Sequence, residues 1–194
     1  MAARRRLNRA VAGALAIVSQ PHPRDRLVGL LVWLAPLFAG AGALWLGQDA
    51  SWDLRNYHFY VPFAFLQGRL GTDIAVAHVA TYYTPLLHLP FYWAVTALSP
   101  RAVGFLSGAA AGLNVWLVFG IARALRPPGA APVDAGLAAV LALLGFCGAM
   151  GLSELGTSFG DNLLSVAVLA SVWVVLRFRG ELASDGPAAW SVAA

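Results

Sequence analysis

One short run of the chain gathers side chains that can act on a substrate. Residues 52–60 carry a carboxylate, a guanidinium, an amide, an imidazole and two phenols: Asp53, Arg55, Asn56, His58, Tyr57 and Tyr60. Asp53, Tyr57 and Tyr60 are spaced i, i+4 and i+7, which predicts one shared helix face. A carboxylate beside apolar surface is costly unless it has a partner or a role. Asp53 is therefore a candidate catalytic group, and an ion pair with Arg55 is the alternative.

The aromatic residues of the same run have a simpler interpretation. Trp and Tyr collect at the interface between membrane and water. Such an aromatic belt would account for the large rings around Asp53, which are Trp52, Phe59, Phe63 and Phe65. It does not account for an Asp, an Asn and a His packed among them.

A second polar run comes later in the chain, at residues 153–162, and contains Glu154 and Asp161. Gly156 and Gly160 predict an irregular backbone there. If the two runs meet, three carboxylates share one cleft and can bind a divalent cation or supply a general base, because hard cations prefer oxygen ligands. Two simpler roles stay open. Asp161 can cap the following helix, and Glu154 can be a solvated loop residue.

Other reactive residue types add no further site. The histidines lack the i, i+4 spacing of helical metal ligands, so no histidine metal site is predicted: His22, His58, His78 and His88. Cys147 is the single cysteine and can form no internal disulfide. No glycine-rich phosphate loop or Gly-x-Ser-x-Gly is present, and the net charge of +4 is too diffuse to predict a nucleic-acid partner.

The segments that must position these residues are those of a membrane protein. Hydrophobic residues make up 59% of the chain and charged residues 11%, against about a quarter charged in ordinary soluble domains. A membrane-spanning helix needs about 20 mostly apolar residues. We predict an all-α integral membrane fold with about four transmembrane helices, at residues 27–46, 102–122, 135–152 and 163–178.

Arginine placement predicts the orientation of these helices. Basic residues collect on the cytoplasmic side of membrane spans. Four crossings with a cytoplasmic N-terminus put every arginine cluster outside the long first loop on that side: Arg4, Arg5, Arg6, Arg9, Arg24, Arg26, Arg123, Arg126, Arg177 and Arg179. A fifth crossing at residues 85–98 would put the last two clusters outside. We therefore expect that stretch to be interfacial or re-entrant.

The predicted organisation follows from these crossings. Residues 1–26 form a cytoplasmic N-terminal segment with a surface helix, a signal peptide being the alternative. Residues 27–179 form the membrane domain, with external loops at 47–101 and 153–162 and interfacial helices in the first of them. Residues 180–194 make a cytoplasmic turn and begin a further apolar segment. That pattern favours the N-terminal part of a longer, truncated protein.

Five features occur together in a definite order. They are an Asp with a Tyr four residues later, a surface helix ending near Gly, prolines followed by Tyr-Trp, a small-residue-rich span ending in Arg, and an Asp directly before a span. They lie at residues 53–57, 63–68, 84–98, 107–123 and 160–164. In this order they resemble the GT-C class of membrane glycosyltransferases, especially the protein mannosyltransferase and lipid A aminoarabinose transferase superfamily. The chain departs from the family pattern at Leu54, often a second acid, and at Tyr83 and Thr84, often a charged pair.

The resemblance implies an enzyme of the cell envelope, multi-pass in the plasma (inner) membrane. Such an enzyme transfers a hexosyl or pentosyl group, with inversion, from a polyprenyl-phosphate donor to an external acceptor. Asp53 would be the catalytic base that deprotonates the acceptor hydroxyl. Asp161 with Glu154 would hold Mg or Mn, or position the donor. Substrate contacts would come from Arg55, Asn56, Tyr57, His58, Tyr83 and Arg101, with Arg69 as a further phosphate contact.

The alternative is a non-catalytic membrane protein, such as a transporter or assembly-subunit fragment. Transporters place their charges within spans, along the substrate path. The acids of this chain lie at span ends, beside the predicted external loops, which favours an interfacial enzyme. A further alternative is that the chain is inactive as an isolated fragment.

Overall fold

The computed structural model describes residues 23–125 and 133–184. Within these ranges the structure is helical and contains no strand, which confirms the all-α class. The helices are α1 (Pro23–Trp33), α2 (Ala35–Leu46), α3 (Tyr60–Leu66), α4 (Leu89–Ala97), α5 (Pro100–Ala124), α6 (Ala135–Phe146), α7 (Ala149–Ser153) and α8 (Asp161–Ser184). A π-helical turn (Leu54–His58) precedes α3, and a 3-10 turn (His78–Tyr82) precedes α4. The predicted N-terminal surface helix, Arg126 and the final apolar segment lie outside the described residues.

Two of the described helices are long and apolar enough to cross a membrane, and α1 with α2 makes a third if this bent pair counts as one span. The two are α5 and the Asp161–Gly180 part of α8. These apolar helices indicate a lipid bilayer as the surroundings of the chain. Four crossings and the side of the N-terminus remain predictions.

The predicted helix over residues 135–152 is corrected by the structure. α6 has 12 residues, and at the α-helical rise this is about 18 Å, less than the bilayer core of about 30 Å. The chain then breaks, because Gly148 is extended, with φ −60° and ψ 158°, before the short α7 begins. Residues 135–153 are therefore two helical pieces joined at a bend.

The bend of 41° between α1 and α2 follows from Pro36. Proline has no N–H, so the carbonyl of Val32 loses its helical donor. Trp116 of α5 replaces that donor, with 2.7 Å between its Nε1 and the Val32 oxygen. Its ring also lies 4.4 Å from that of Trp33. An unpaired carbonyl in lipid would be costly, so Trp116 both permits the bend and ties it to α5.

Glycines let α2 and α5 approach backbone to backbone, and we call this the α2–α5 contact. A Cβ at Gly108 would lie 2.6 Å from the Cβ of Ala43, and one at Gly112 would lie 2.6 Å from the Cα of Pro36. No real Cβ tolerates such distances, so neither position has room for a side chain. Small residues at helix interfaces allow this close packing in membranes.

The second loop, residues 154–160, is held against the α2–α5 contact. Leu155 is buried among alanines of α2 and α5. Gly156 has φ +78°, and a Cβ there would lie 2.5 Å from the Cβ of Ala43. Only glycine satisfies both the backbone angle and the lack of space. The first loop, residues 47–99, starts from the same end of α2.

The opposite ends of the helices are joined by Arg123. Its guanidinium lies 3.7 Å from the carboxylate of Asp25 in α1 and donates a hydrogen bond to the carbonyl of Val133 just before α6. Higher on α5, the Asn114 side chain donates to the carbonyl of Asn162 at 2.9 Å, which fastens α8. α5 is thus the helix on which the other apolar helices are assembled.

We predict that Gly112→Ala destabilises the chain and that Gly104→Ala does not. At Gly112 the new methyl group meets backbone atoms of α2, whereas at Gly104 on the same helix it meets nothing within 4 Å. Overpacking costs about 1–3 kcal/mol, while alanine in an open helical site gains up to about 1 kcal/mol over glycine. Thermal unfolding in lipid nanodiscs measures both effects. Equal midpoints for the two variants would contradict the α2–α5 contact.

Candidate functional site

The first and second loops are joined by Asp49, Ser158 and His58. The Asp49 carboxylate accepts hydrogen bonds from the backbone N–H of Ser158 at 2.9 Å and from its hydroxyl at 2.7 Å. Nδ1 of His58 lies 2.7 Å from the same hydroxyl oxygen. Because the hydroxyl proton is directed to Asp49, the Ser158 oxygen accepts from His58, which assigns the proton of the neutral ring to Nδ1.

This hydrogen-bond chain does not make Ser158 a nucleophile. An activated serine gives its proton to a histidine, whereas Ser158 gives its proton to a carboxylate and accepts from the histidine. Burial raises the pKa of Asp49, but the hydrogen bonds from Ser158 and Ser51 outweigh it and keep the pKa below the ordinary 3.8. Asp49 is therefore an ionised anchor for the second loop.

His58 and His88 form a buried stack beside this chain. Their ring centroids are 4.3 Å apart with 24° between the planes, and their side chains are 3% and 7% exposed. Burial lowers the pKa of both, that of His88 to about 4, with the charge of His58 as the second cause. Both rings are thus neutral at physiological pH. Nδ1 of His88 has no hydrogen-bond partner among the described residues.

Tyr57 connects the histidine stack to Asp53. Its ring meets His58 and His88 edge-on, at centroid distances of 4.4 and 6.2 Å, and meets Tyr83 at 5.7 Å. Burial, followed by the hydrogen bond and the charge of Asp53, raises the pKa of Tyr57 to about 12. The phenol is therefore neutral at physiological pH and lies close to the carboxylate of Asp53.

Arg55 and Arg101 line one cavity of about 600 Å³, together with Asp49. Most of its wall is apolar and comes from α2, α4, α5 and the π-helical turn: Ala43, Leu44, Leu54, Phe59, Phe91, Val95, Leu98 and Val103. Among the described residues no ion pair joins Arg55 to Asp53. The alternative in which Arg55 neutralises Asp53 is therefore wrong.

Asp161 lies near both Glu154 and Tyr57. Glu154 is only 8% exposed, so its alternative as a solvated loop residue is wrong. Burial, and next the like charge of Asp161, raise the pKa of Glu154. The charge of Asp161 also acts on Tyr57. Of the two acids, Asp161 is thus the one that lies near the catalytic candidates of the first loop.

Gly160, and not Asp161 as predicted, is the N-cap residue of α8. The carbonyl of Gly160 accepts from the N–H of Leu164 at 2.8 Å, so Asp161 stands in the first turn of α8. A carboxylate there still favours the helix, through its dipole. Within residues 23–125 and 133–184, no group of three or more His, Cys, Asp or Glu is placed to hold a metal ion. The metal role of Asp161 and Glu154 stays a prediction.

Tyr60 does not share a face with Asp53 and Tyr57, although its spacing predicted it. The π-helical turn at Leu54–His58 inserts an extra residue into the helical repeat and so rotates Tyr60 away. Its hydroxyl donates to Asp73 instead.

Two other predicted contacts are occupied locally. Arg69 holds Asp73 through two hydrogen bonds of 2.9 Å. Asn56 donates to the carbonyl of Trp52 at 2.7 Å, inside its own turn. Both side chains thus make local contacts, and their predicted contacts with a substrate stay predictions.

Three residues of the site were missed by the sequence analysis: Asp49, Ser158 and His88. Each lies next to a helix end or a loop glycine. Asp49 follows the Gly47 that ends α2, and His88 directly precedes α4. Polar residues at such ends were the available signal, but nothing in their spacing indicates that they meet.

No protein-family model matches the chain, and neither curated proteins nor solved structures give a match. The fold and the site therefore define a helical protein with apolar helices of membrane-spanning length and a buried polar cluster where its two loops meet. Membership of a transferase family remains a proposal.

The buried histidines predict that the chain loses stability as the pH falls. The contribution of His88 is complete above its ordinary pKa of 6.5, decreases as the pH falls toward about 4, and changes no further below that. The midpoint of thermal unfolding should fall less over this range for His88→Phe, which keeps a flat ring but takes up no proton. The opposite effect of Glu154 is present in both proteins and cancels. Parallel pH profiles would contradict the neutral, buried state of His88.

Proposed function

We propose that this chain forms the loop-bearing part of a membrane glycosyltransferase, which transfers a sugar from a polyprenyl-phosphate donor to an external acceptor. One observation carries the proposal. Asp53 lies beside Tyr57 and helps to raise its pKa, and the two residues that follow Asp53, Leu54 and Arg55, line a cavity with a second arginine and apolar walls. A base and a lipid-phosphate site thus lie side by side.

The cavity suits a lipid phosphate in both of its parts. The guanidinium groups of Arg55 and Arg101 match phosphate oxygens in geometry and charge. The apolar wall suits the first isoprene units of the donor. The cavity lies where α2 ends and α5 begins, and in the proposed topology a membrane lipid would present its phosphate at this end of the helices.

Asp53 acts as general base in the proposed reaction. It takes the proton of the acceptor hydroxyl as that oxygen bonds to the anomeric carbon of the sugar. The bond from this carbon to the donor phosphate breaks on the opposite face, so the configuration inverts. The phosphate leaves on its lipid, and the two arginines stabilise its charge. Tyr57 lies beside this carboxylate.

A divalent cation, Mg or Mn, remains part of the proposal. Glu154 and Asp161 would hold it, because a buried carboxylate beside a like charge is an arrangement that a hard cation stabilises. Such an ion would supply further positive charge for the leaving phosphate.

The proposed topology has four crossings and a cytoplasmic N-terminus, in the plasma (inner) membrane. The crossings are α1 with α2, α5, α6 with α7, and α8. In support, the polar cluster and the Arg123–Asp25 pair lie at opposite ends of α5. α4 has nine residues, which is about 14 Å, too short to cross.

Single cysteines test this topology after Cys147 has been replaced by alanine. A membrane-impermeant maleimide should label Thr72→Cys and Ser153→Cys on intact cells. It should label Leu125→Cys and Gly180→Cys only after the membrane is permeabilised. Labelling of either of the last two on intact cells would overturn the orientation or the number of crossings.

The function is tested by Asp53→Asn in the full chain, with sugar transfer measured from a polyprenyl-phosphate hexose and a polyprenyl-phosphate pentose in native membranes. Loss of a general base should lower the rate by a factor of about 10² to 10⁴. Asp73→Asn is the matched control, because Asp73 is a second first-loop carboxylate that lies beside a tyrosine. Full activity of Asp53→Asn would rule out the catalytic assignment.

A second arm of the experiment separates donor binding from chemistry. Arg101→Gln should raise the KM for the lipid donor more than it lowers kcat, because Arg101 lines the cavity and does not touch Asp53. Movement of the lipid across proteoliposomes without sugar transfer would favour the transporter alternative instead.

A further inference from the structure

We propose that Asp49, Ser158, His58 and His88 form a positioning assembly, through which the second loop holds Tyr57 in place beside Asp53. The catalytic consequence of this assembly rests on the proposed function, whereas the coupling itself does not. The resemblance to the transferase family gives none of the four residues a positioning role, and for three of them nothing in the sequence spacing indicates that they meet.

A chain of hydrogen bonds joins the two loops. Ser158 is 4% exposed, and both its N–H and its hydroxyl are committed to Asp49. Its remaining acceptor capacity takes Nδ1–H of His58. Inside a protein such a satisfied network fixes the groups that it joins. The second loop therefore sets where the ring of His58 lies.

His58 in turn contacts Tyr57. The two residues are neighbours in the same π-helical turn, Leu54–His58, and their rings meet edge-on at 4.4 Å. His88 stacks on His58 and also meets the edge of Tyr57. A shift of the stack would therefore move the phenol away from Asp53.

His88 is the second ring of the stack. Its ring is buried while Nδ1 has no partner in the described part of the chain, and burial of an unpaired nitrogen costs free energy. The contacts that this position offers in return are the stack on His58 and the edge of Tyr57. His88 thus contributes by stacking on His58, and a flat apolar ring at this position should make the same stack.

Three members of the assembly lie outside the wall of the proposed donor cavity. The cavity lined by Arg55 and Arg101 is not lined by Ser158, His58 or His88. These three residues therefore act through Tyr57 and do not touch a donor in the cavity. Their loss should lower kcat and leave the KM for the donor unchanged.

The primary test measures the pKa of Tyr57 in the Ser158→Ala variant. The titration is monitored by NMR of the full chain, with tyrosine labelled with ¹³C at Cζ. Tyr57→Phe assigns the signal. In the unsubstituted protein Tyr57 has a pKa of about 12, against an ordinary 10.0. Ser158→Ala should shift the ionisation toward the ordinary value, because Tyr57 loses its fixed, partly buried position beside Asp53. Unchanged ionisation of Tyr57 would overturn the proposal.

Thr157→Val is the matched control in the same loop. The Thr157 hydroxyl bonds only within the loop, to the carbonyl of Glu154 and the N–H of Phe159. Its loss should leave Tyr57 unaffected. An equal shift in Thr157→Val and Ser158→Ala would reduce the effect to general loosening of the loop and would also overturn the proposal.

His88 supplies a second pair of variants if Ser158→Ala does not fold. His88→Ala removes the stack and should shift the ionisation of Tyr57, whereas His88→Phe keeps the stack and should restore it. Equal behaviour of the two variants would contradict a positioning role.

Kinetics distinguish failure of this proposal from failure of the proposed function. With sugar transfer as the readout, Ser158→Ala should lower kcat by about 10- to 100-fold, the cost of a small misplacement, at unchanged KM for the donor. If the unsubstituted protein transfers no sugar, the proposed function fails, and the ionisation of Tyr57 still decides the coupling.

Discussion

The close approach of α2 and α5 is the constraint on which the rest of the structure depends. Because Gly108 and Gly112 admit no side chain against α2, the end of α2 and the start of α5 are held together. That juxtaposition brings Asp49 and Arg101 to one cavity. It also provides the surface on which Gly156 turns the second loop. The site is therefore a consequence of backbone packing between two apolar helices.

The same packing explains how a chain with few polar residues satisfies its backbone. Pro36 removes a donor inside an apolar helix, and Trp116 of α5 supplies one at 2.7 Å. Asn114 likewise reaches a backbone carbonyl of α8. Hydrogen bonds of this kind matter more in lipid, where no water can replace them. α5 thus contributes specific polar contacts as well as apolar surface.

Hydropathy alone predicted the helical class and the positions of the long apolar helices, because the length and composition of a span are local properties. Tyr57 as a partner of Asp53 also followed from local spacing. The break at Gly148 and the rotation of Tyr60 did not, since both depend on a backbone irregularity that hydropathy averages over. The contact between Asp49 and Ser158 joins residues far apart in the chain. It depends on how α2 and the second loop pack, and no pattern in the sequence reports that.

The neutrality of the histidine stack bears directly on the chemistry proposed for Asp53. The negative charge of Asp53 favours protonation of His58, but burial outweighs it and keeps the pKa lowered. A charged imidazolium beside Asp53 would stabilise the carboxylate and make it a weaker base. Because both rings of the stack are neutral, no imidazolium stands near Asp53, and its neighbour Tyr57 is a neutral phenol. The positive charge that lines the cavity then comes from Arg55 and Arg101, where a departing phosphate requires it.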